Sequence, residues 1–314
     1  MKHPDFPHKR LNFEGYKELD SIEAIQKLMH TFAEDVQIQE SGCEAIKLYC
    51  RIESNRARAC RALFHDDLQM LMQKFPNEKE LQHKRCLATC NICLDPTNRM
   101  HAGSIKAHNE LQAIMDSFRE DVEIQLSVCG AMECYMLEEE NRAMMAVGAA
   151  NTREGTIHRS IQQTMQAHTS NAEVQASAMR ALGTLCMQGS DAESKHVFED
   201  ICALVDVQHA LRTFDKVTVQ QEGLWMLQNA CANASQQQLQ MLGESGLFIE
   251  IQRAMCTYTD DLVVQYGACM VLACALTNAA NRTAAGKRGL HSDVINALMM
   301  FAMREISLRL GYWP

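Results

Sequence analysis

Apolar residues recur three and four positions apart in IQKLMHTF (25–32), LQMLMQKF (68–75) and LQAIMDSF (111–118), the spacing of a helix with one buried face. Each stretch ends on an aromatic residue. A second pattern follows each of them and recurs through the chain as DVQIQESGCEAI, EKELQHKRCLAT, DVEIQLSVCGAM, NAEVQASAMRAL, KVTVQQEGLWML and DLVVQYGACMVL. An aliphatic-Gln pair marks each, at Gln39, Gln82, Gln125, Gln175, Gln220 and Gln265, with steps of 43, 43, 50, 45 and 45 residues. Segments related at such a period predict an array of helical units that bury their apolar faces only by stacking on one another.

Two further features keep phase with the glutamines. Sixteen residues after each stands Asn55, Asn98, Asn141, Asp191, Gln236 or Asn281, followed in four units by Arg56, Arg99, Arg142 or Arg282. Asn and Asp side chains accept the free amides of a helix's first turn, so this position reads as a recurring helix start. Seven residues before the glutamines stand Phe32, Phe75, Phe118, His168 and Tyr258, with Phe214 out of step by one. Each unit therefore reads as three helices: one opening near the Asn, a second ending near the aromatic, and a third opening beside the Gln, near 38, 81, 124, 174, 219 and 264. The array spans 20–303, between an N-terminal extension (1–19) and an irregular C-terminal tail (304–314). The stretch VGAANTREGTIH predicts a lengthened loop between Gly148 and Ile157.

Composition narrows the class to all-α. The 314 residues are 47% hydrophobic and 6% aromatic, with twenty Met but only five Pro and fifteen Gly, favouring helix over sheet. A net charge of −9 opposes a phosphate-backbone partner, and no window offers the roughly 20 apolar residues a membrane span needs. Fourteen cysteines without an apolar signal segment point to free thiols in a reducing compartment, the cytoplasm by default with the nucleus left open.

The chemistry-bearing residues are weighed against the repeat. Cys86, Cys90 and Cys93 share one helix face, as metal ligands can. Yet Cys43, Cys86, Cys129 and Cys269 stand four residues after their glutamines, and Cys50, Cys93, Cys186 and Cys231 eleven after, so they occupy shared apolar core slots. No nucleophile elbow, histidine pair or phosphate-cradling loop is present. The expectation is no catalytic residue, no metal and no cofactor.

The third-helix pattern resembles the armadillo-repeat family, whose third helix reads V-Q-x-x-A/G-x-x-A-L-x-N-L; VQQEGLWMLQNACAN (219–233) is the nearest match, and HEAT repeats share the stack. The resemblance implies a right-handed α-solenoid of about six three-helix repeats plus a partial seventh. It also implies a concave groove lined by third helices, where Trp and Asn four residues apart clasp a peptide. Trp225 and Asn229 keep that spacing. The same register offers Glu44, Leu87 with Asn91, Arg180 with Thr184, and Met270, with Tyr266 beside them; it also offers Gly130 with Cys134, and Cys274.

The expected function is a non-catalytic protein-protein interaction scaffold holding a helical or extended segment of another protein. Self-association through the C-terminal end is a further expectation. The alternative is the regulatory arm of a larger kinase or ubiquitin ligase continuing beyond Pro314.

Overall fold

A computed structural model describes residues 22–147, 157–187, 202–232 and 234–309, and every regular element in them is an α-helix. In chain order these are α1 (Ile22–Thr31), α2 (Val36–Tyr49), α3 (Glu53–Arg61), α4 (Phe64–Lys74), α5 (Lys79–Ile92) and α6 (Pro96–Ser104). Next come α7 (His108–Ser117), α8 (Val122–Met136), α9 (Glu139–Val147), α10 (Ile157–Ala167) and α11 (Ala172–Leu185). The last are α12 (Cys202–Thr213), α13 (Val217–Ala232), α14 (Gln236–Glu244), α15 (Leu247–Thr257), α16 (Leu262–Ala275), α17 (Ala279–Arg288) and α18 (Leu290–Arg309). The loop expected between Gly148 and Ile157, and Asp191, lie outside the described residues.

Equivalent helices stack on one another. The Gln-bearing helices form one continuous ladder, α2 on α5, α8, α11, α13 and α16 in turn. A second ladder joins α7, α10, α12, α15 and α18, and a third runs through α3, α6 and α9 and again through α14 and α17. Apolar side chains at helical spacing fill the space between, among them Val128, Met132, Met179, Leu224 and Val271, all fully buried.

Polar side chains fasten the helix ends. A helix leaves its last carbonyls without partners. Here the recurrent Gln supplies them from the next helix. Gln125 Nε2 donates to Met115 O (2.8 Å) and Phe118 O (2.9 Å), and its Oε1 accepts from Thr164 Oγ1 (2.6 Å). Gln39, Gln175, Gln220 and Gln265 make the same double bond to the carbonyls ending α1, α10, α12 and α15. Gln82 keeps only the bond to Phe75 O (2.8 Å), and its Oε1 is buried without a partner.

The Gln-bearing helices open two residues earlier than the pattern of apolar positions predicts. Their caps are Asp35, Asp121, Asn171 and Asp261, whose side chains accept from first-turn amides.

The recurring Asn needs a larger correction, because it is not a cap. Asp95, Ser235 and Asn278 cap α6, α14 and α17, while Asn98 and Asn281 lie three residues after their caps, inside the helix. The Asn amide instead donates to main-chain carbonyls. Asn141 Nδ2 bonds Tyr135 O and Arg99 O, both at 3.0 Å, joining the end of α8 to the preceding unit; Asn281 does the same with Ala275 O (3.0 Å) and Leu239 O (2.6 Å). A Cβ added to Gly103 or Gly243 would come within 2.0 or 1.9 Å of these Asn Oδ1 atoms, so glycine makes room for the contact. The following arginines reach back to the same helix ends: Arg56 to Cys50 O (2.8 Å), Arg99 to Cys93 O (3.0 Å) and Arg282 to Leu276 O (2.9 Å).

A further polar ladder was not read from the sequence. Gln26, Gln69, Gln162 and Gln252 each reach an acid of the next unit, at Asp67 (2.5 Å), Glu110 (2.8 Å), Asp206 (2.8 Å) and Asp293 (2.8 Å).

At the C-terminal end, α18 runs to Arg309 rather than stopping before an irregular stretch at 304. Between Leu290 and Arg309 there is no Gly or Pro to end it. Among the described residues no helix is long and apolar enough to cross a membrane.

The clamps make a graded prediction. Replacing Gln125 by Leu strands two buried carbonyls and Thr164, lowering stability by about 2–4 kcal/mol, whereas Gln82→Leu costs about 1 kcal/mol, because one bond is lost and a buried orphan oxygen is removed with it. Chemical denaturation of both variants checks the order; equal losses would mean the glutamines act through packing alone.

Candidate functional site

The Gln-bearing ladder brings one register position of each helix into a row. Five residues after the glutamines stand Glu44, Leu87, Gly130, Arg180, Trp225 and Met270, and all six are half-buried. This is the row that the sequence comparison of units singles out, and the packing of α2, α5, α8, α11, α13 and α16 aligns it across the array.

The members of the row differ in what they leave free. Trp225 lies on Gly183 of α11, where a Cβ would come within 2.5 Å of the indole ring. The glycine gives the ring a flat seat. Met270 follows on the neighbouring α16, and Tyr266, one turn away, is 56% exposed. The Trp225 ring thus lies over the step between α11 and α13, and Met270 and Tyr266 add apolar and aromatic bulk on the next helix, α16.

The charged members are engaged with each other. Arg180 Nη2 pairs with Glu222 Oε1 at 2.6 Å and its Nη1 with Glu133 Oε2 at 3.9 Å, linking α8, α11 and α13. The hydrogen bond to Glu222 holds the guanidinium charged more firmly than usual, while burial raises the Glu133 carboxyl. Glu44 pairs with Lys47 at 2.7 Å.

Three expected contact residues are committed to the frame. Asn91 Nδ2 donates to Lys47 O (2.8 Å) and Asn229 Nδ2 to Gly183 O (3.2 Å), each bridging to the preceding helix of the ladder. Thr184 is buried, with its hydroxyl bonded to Arg180 O (3.0 Å). Of the expected contact residues, Trp225, Met270, Tyr266 and Leu87 are not engaged in such polar links. Nothing in the spacing of Asn91 or Asn229 distinguishes an amide that faces a partner from one that ties two helices.

Seven of the described cysteines are buried in the core, five are half-buried and Cys256 is exposed. Burial pushes the Cys43, Cys50, Cys129 and Cys186 thiols up to about 12 and Cys86 up to about 11, so these thiols stay protonated at neutral pH. Cys86, Cys90 and Cys93 do not converge: Cys90 Sγ faces Ser127 O (3.9 Å) and Cys93 Sγ faces His65 Nε2 (3.7 Å). Among the described residues no three His, Cys, Asp or Glu side chains are grouped as a metal site.

No protein-family model matches this chain, and no curated protein matches it.

His65, buried beside Cys93, supplies a pH test. Burial first, and then the nearby His101 and Arg85, push its pKa from 6.5 down to about 3. The unfolded chain therefore takes up a proton below about 6.5 that the folded chain refuses until about 3. Stability is full above 6.5 and falls with pH through that window, by at most about 1.4 kcal/mol per pH unit from this residue. Denaturation midpoints between pH 7 and 4.5 should decline less steeply for His65→Leu than for the wild type; parallel curves would show that the imidazole ionises freely in the fold.

Proposed function

We propose that the chain is a right-handed solenoid of about six armadillo-like repeats with a partial seventh, and that it serves as a non-catalytic scaffold holding another protein along its third-helix row. The seat of Trp225 on Gly183, beside Met270 and Tyr266, is the observation that supports this reading best. An aromatic side chain held rigidly and half-exposed next to other apolar groups suits an anchor of binding energy. The surrounding polar groups are already paired, so the partner contributes apolar side chains, from a helix or an extended segment, rather than a charged tail. Net charge of −9 supports a protein partner over nucleic acid, and the abundant thiols support a cytoplasmic setting.

The test separates binding from stability. In pulldowns from lysate, Trp225→Ala with unchanged helicity loses its specific partners by tenfold or more. Asn229→Ala lowers thermal stability and retains them, because its amide serves Gly183 O. A folded Trp225→Ala protein that captures the wild-type set would place binding on another face.

A further inference from the structure

Two long helices at the C-terminal end of the described residues carry exposed apolar side chains. On α16 these are Leu262, Val263 and Tyr266; on α18 they are Ile295, Leu298 and Met299, and all six are 45–58% exposed. The two helices pack on one another, so both rows lie at the same end of the array.

Register shows what these residues replace. Gly246 and Gly289, with φ of 91° and 74°, stand immediately before α15 and α18 and align the two helices. Ile295 then occupies the place of Gln252, whose amide links α15 to Asp293 of the next unit. Leu298 occupies the place of Met255, which is buried. Tyr266 likewise stands where α13 has Gln221, which bonds Asp261 of the next unit at 3.0 Å. Inner units meet their neighbours here through polar links or a buried side chain; the last presents uncharged bulk. Exposed apolar side chains gathered at one end of an array in this way mark an interface.

We propose that this face pairs with the same face of a second copy of the chain, giving a two-fold symmetric dimer. Three observations favour that occupant. The patch contains no charge, so it is its own complement, whereas net charge of −9 sets other surfaces of two copies against one another. Among the described residues of α1, α2 and the turn between them, Phe32 is the one exposed large apolar side chain. Head-to-tail stacking would leave the patch against polar groups, while an isologous contact matches apolar to apolar. The six side chains expose roughly 600 Å² per copy, or about 1,200 Å² for a pair, the lower limit for a specific interface. This contact deepens the self-association expected at the C-terminal end; it shares Tyr266 with the Trp225 row but not Trp225 itself.

Light scattering and sedimentation equilibrium of the full chain from about 1 to 100 µM test it. The mass should rise from 35.4 kDa to a plateau at twice that value. Ile295→Gln, which restores the polar side chain of the inner unit, combined with Leu298→Gln should raise the dissociation constant at least tenfold at unchanged helicity, as should Leu262→Gln on the other helix. Trp225→Ala should dimerise as the wild type does, so failure of the groove and failure of the dimer are read separately. A wild type that stays at 35.4 kDa throughout, a mass that grows without a plateau, or a monomer shifted only by a different protein would each overturn the proposal.

Discussion

A side-chain amide donated to the dying end of a helix is the interaction on which this array rests. Six times the chain lays a Gln-bearing helix against the end of the helix before it, and in five of the six the amide satisfies two carbonyls at once. Those carbonyls are buried by the crossing, where an unpaired acceptor costs on the order of 1–3 kcal/mol. The angle between the two helices is thereby set by bonds with direction, while the apolar contacts around them have none. The Asn-Arg pair does the corresponding task one step later, with Asn141 and Asn281 each reaching two carbonyls in two different units. One residue thus fastens a corner within a unit and a step between units.

This division of labour explains what the sequence makes legible and what it hides. The Gln phase, the aromatic seven residues earlier and the cysteine slots all repeat, and each maps onto a repeated position in the structure. The role of a repeated residue is harder to read than its presence. Asn at a helix start is ordinarily a cap, yet here Asp95 and Asn278 take that place and the later Asn donates instead of accepting. The amide has both capacities, and only the neighbouring unit decides which is used. Gln26, Gln69 and Gln112 stand 43 apart and carried a signal as strong as that of Gln39 and Gln82, but outside the aliphatic-Gln pair they read as solvent-facing polar residues. Thr184 failed as a contact residue for a packing reason: α11 is flanked on the ladder by both α8 and α13, and nearly its whole circumference is buried.

The frame also determines what kind of binding the surface can offer. Polar side chains in a stacked array are consumed by helix ends and by the steps between units, as Asn91, Asn229, Arg180 and Glu44 show. What remains for a partner is apolar, and its placement follows from where small residues permit it. Gly183 is the seat without which the Trp225 ring could not lie across the step between α11 and α13. In the proposed scaffold, recognition along this row would be a matter of shape and apolar area, with charge contributing through the net field rather than through individual pairs.

Stacked units draw their stability from neighbours, so an end unit, with one neighbour instead of two, is the least stable part of such an array. Among the described residues α16 and α18 carry exposed apolar rows, and the Gln that in earlier units tethers one unit to the next is replaced by Ile295. A partner surface that covers these rows binds only the folded arrangement of α16 and α18. It therefore stabilises the end unit in proportion to its own occupancy. In the proposed dimer, the residue that removes a link within the chain would be the same one that forms a link between chains, and local order at this end would be coupled to association through the same side chains.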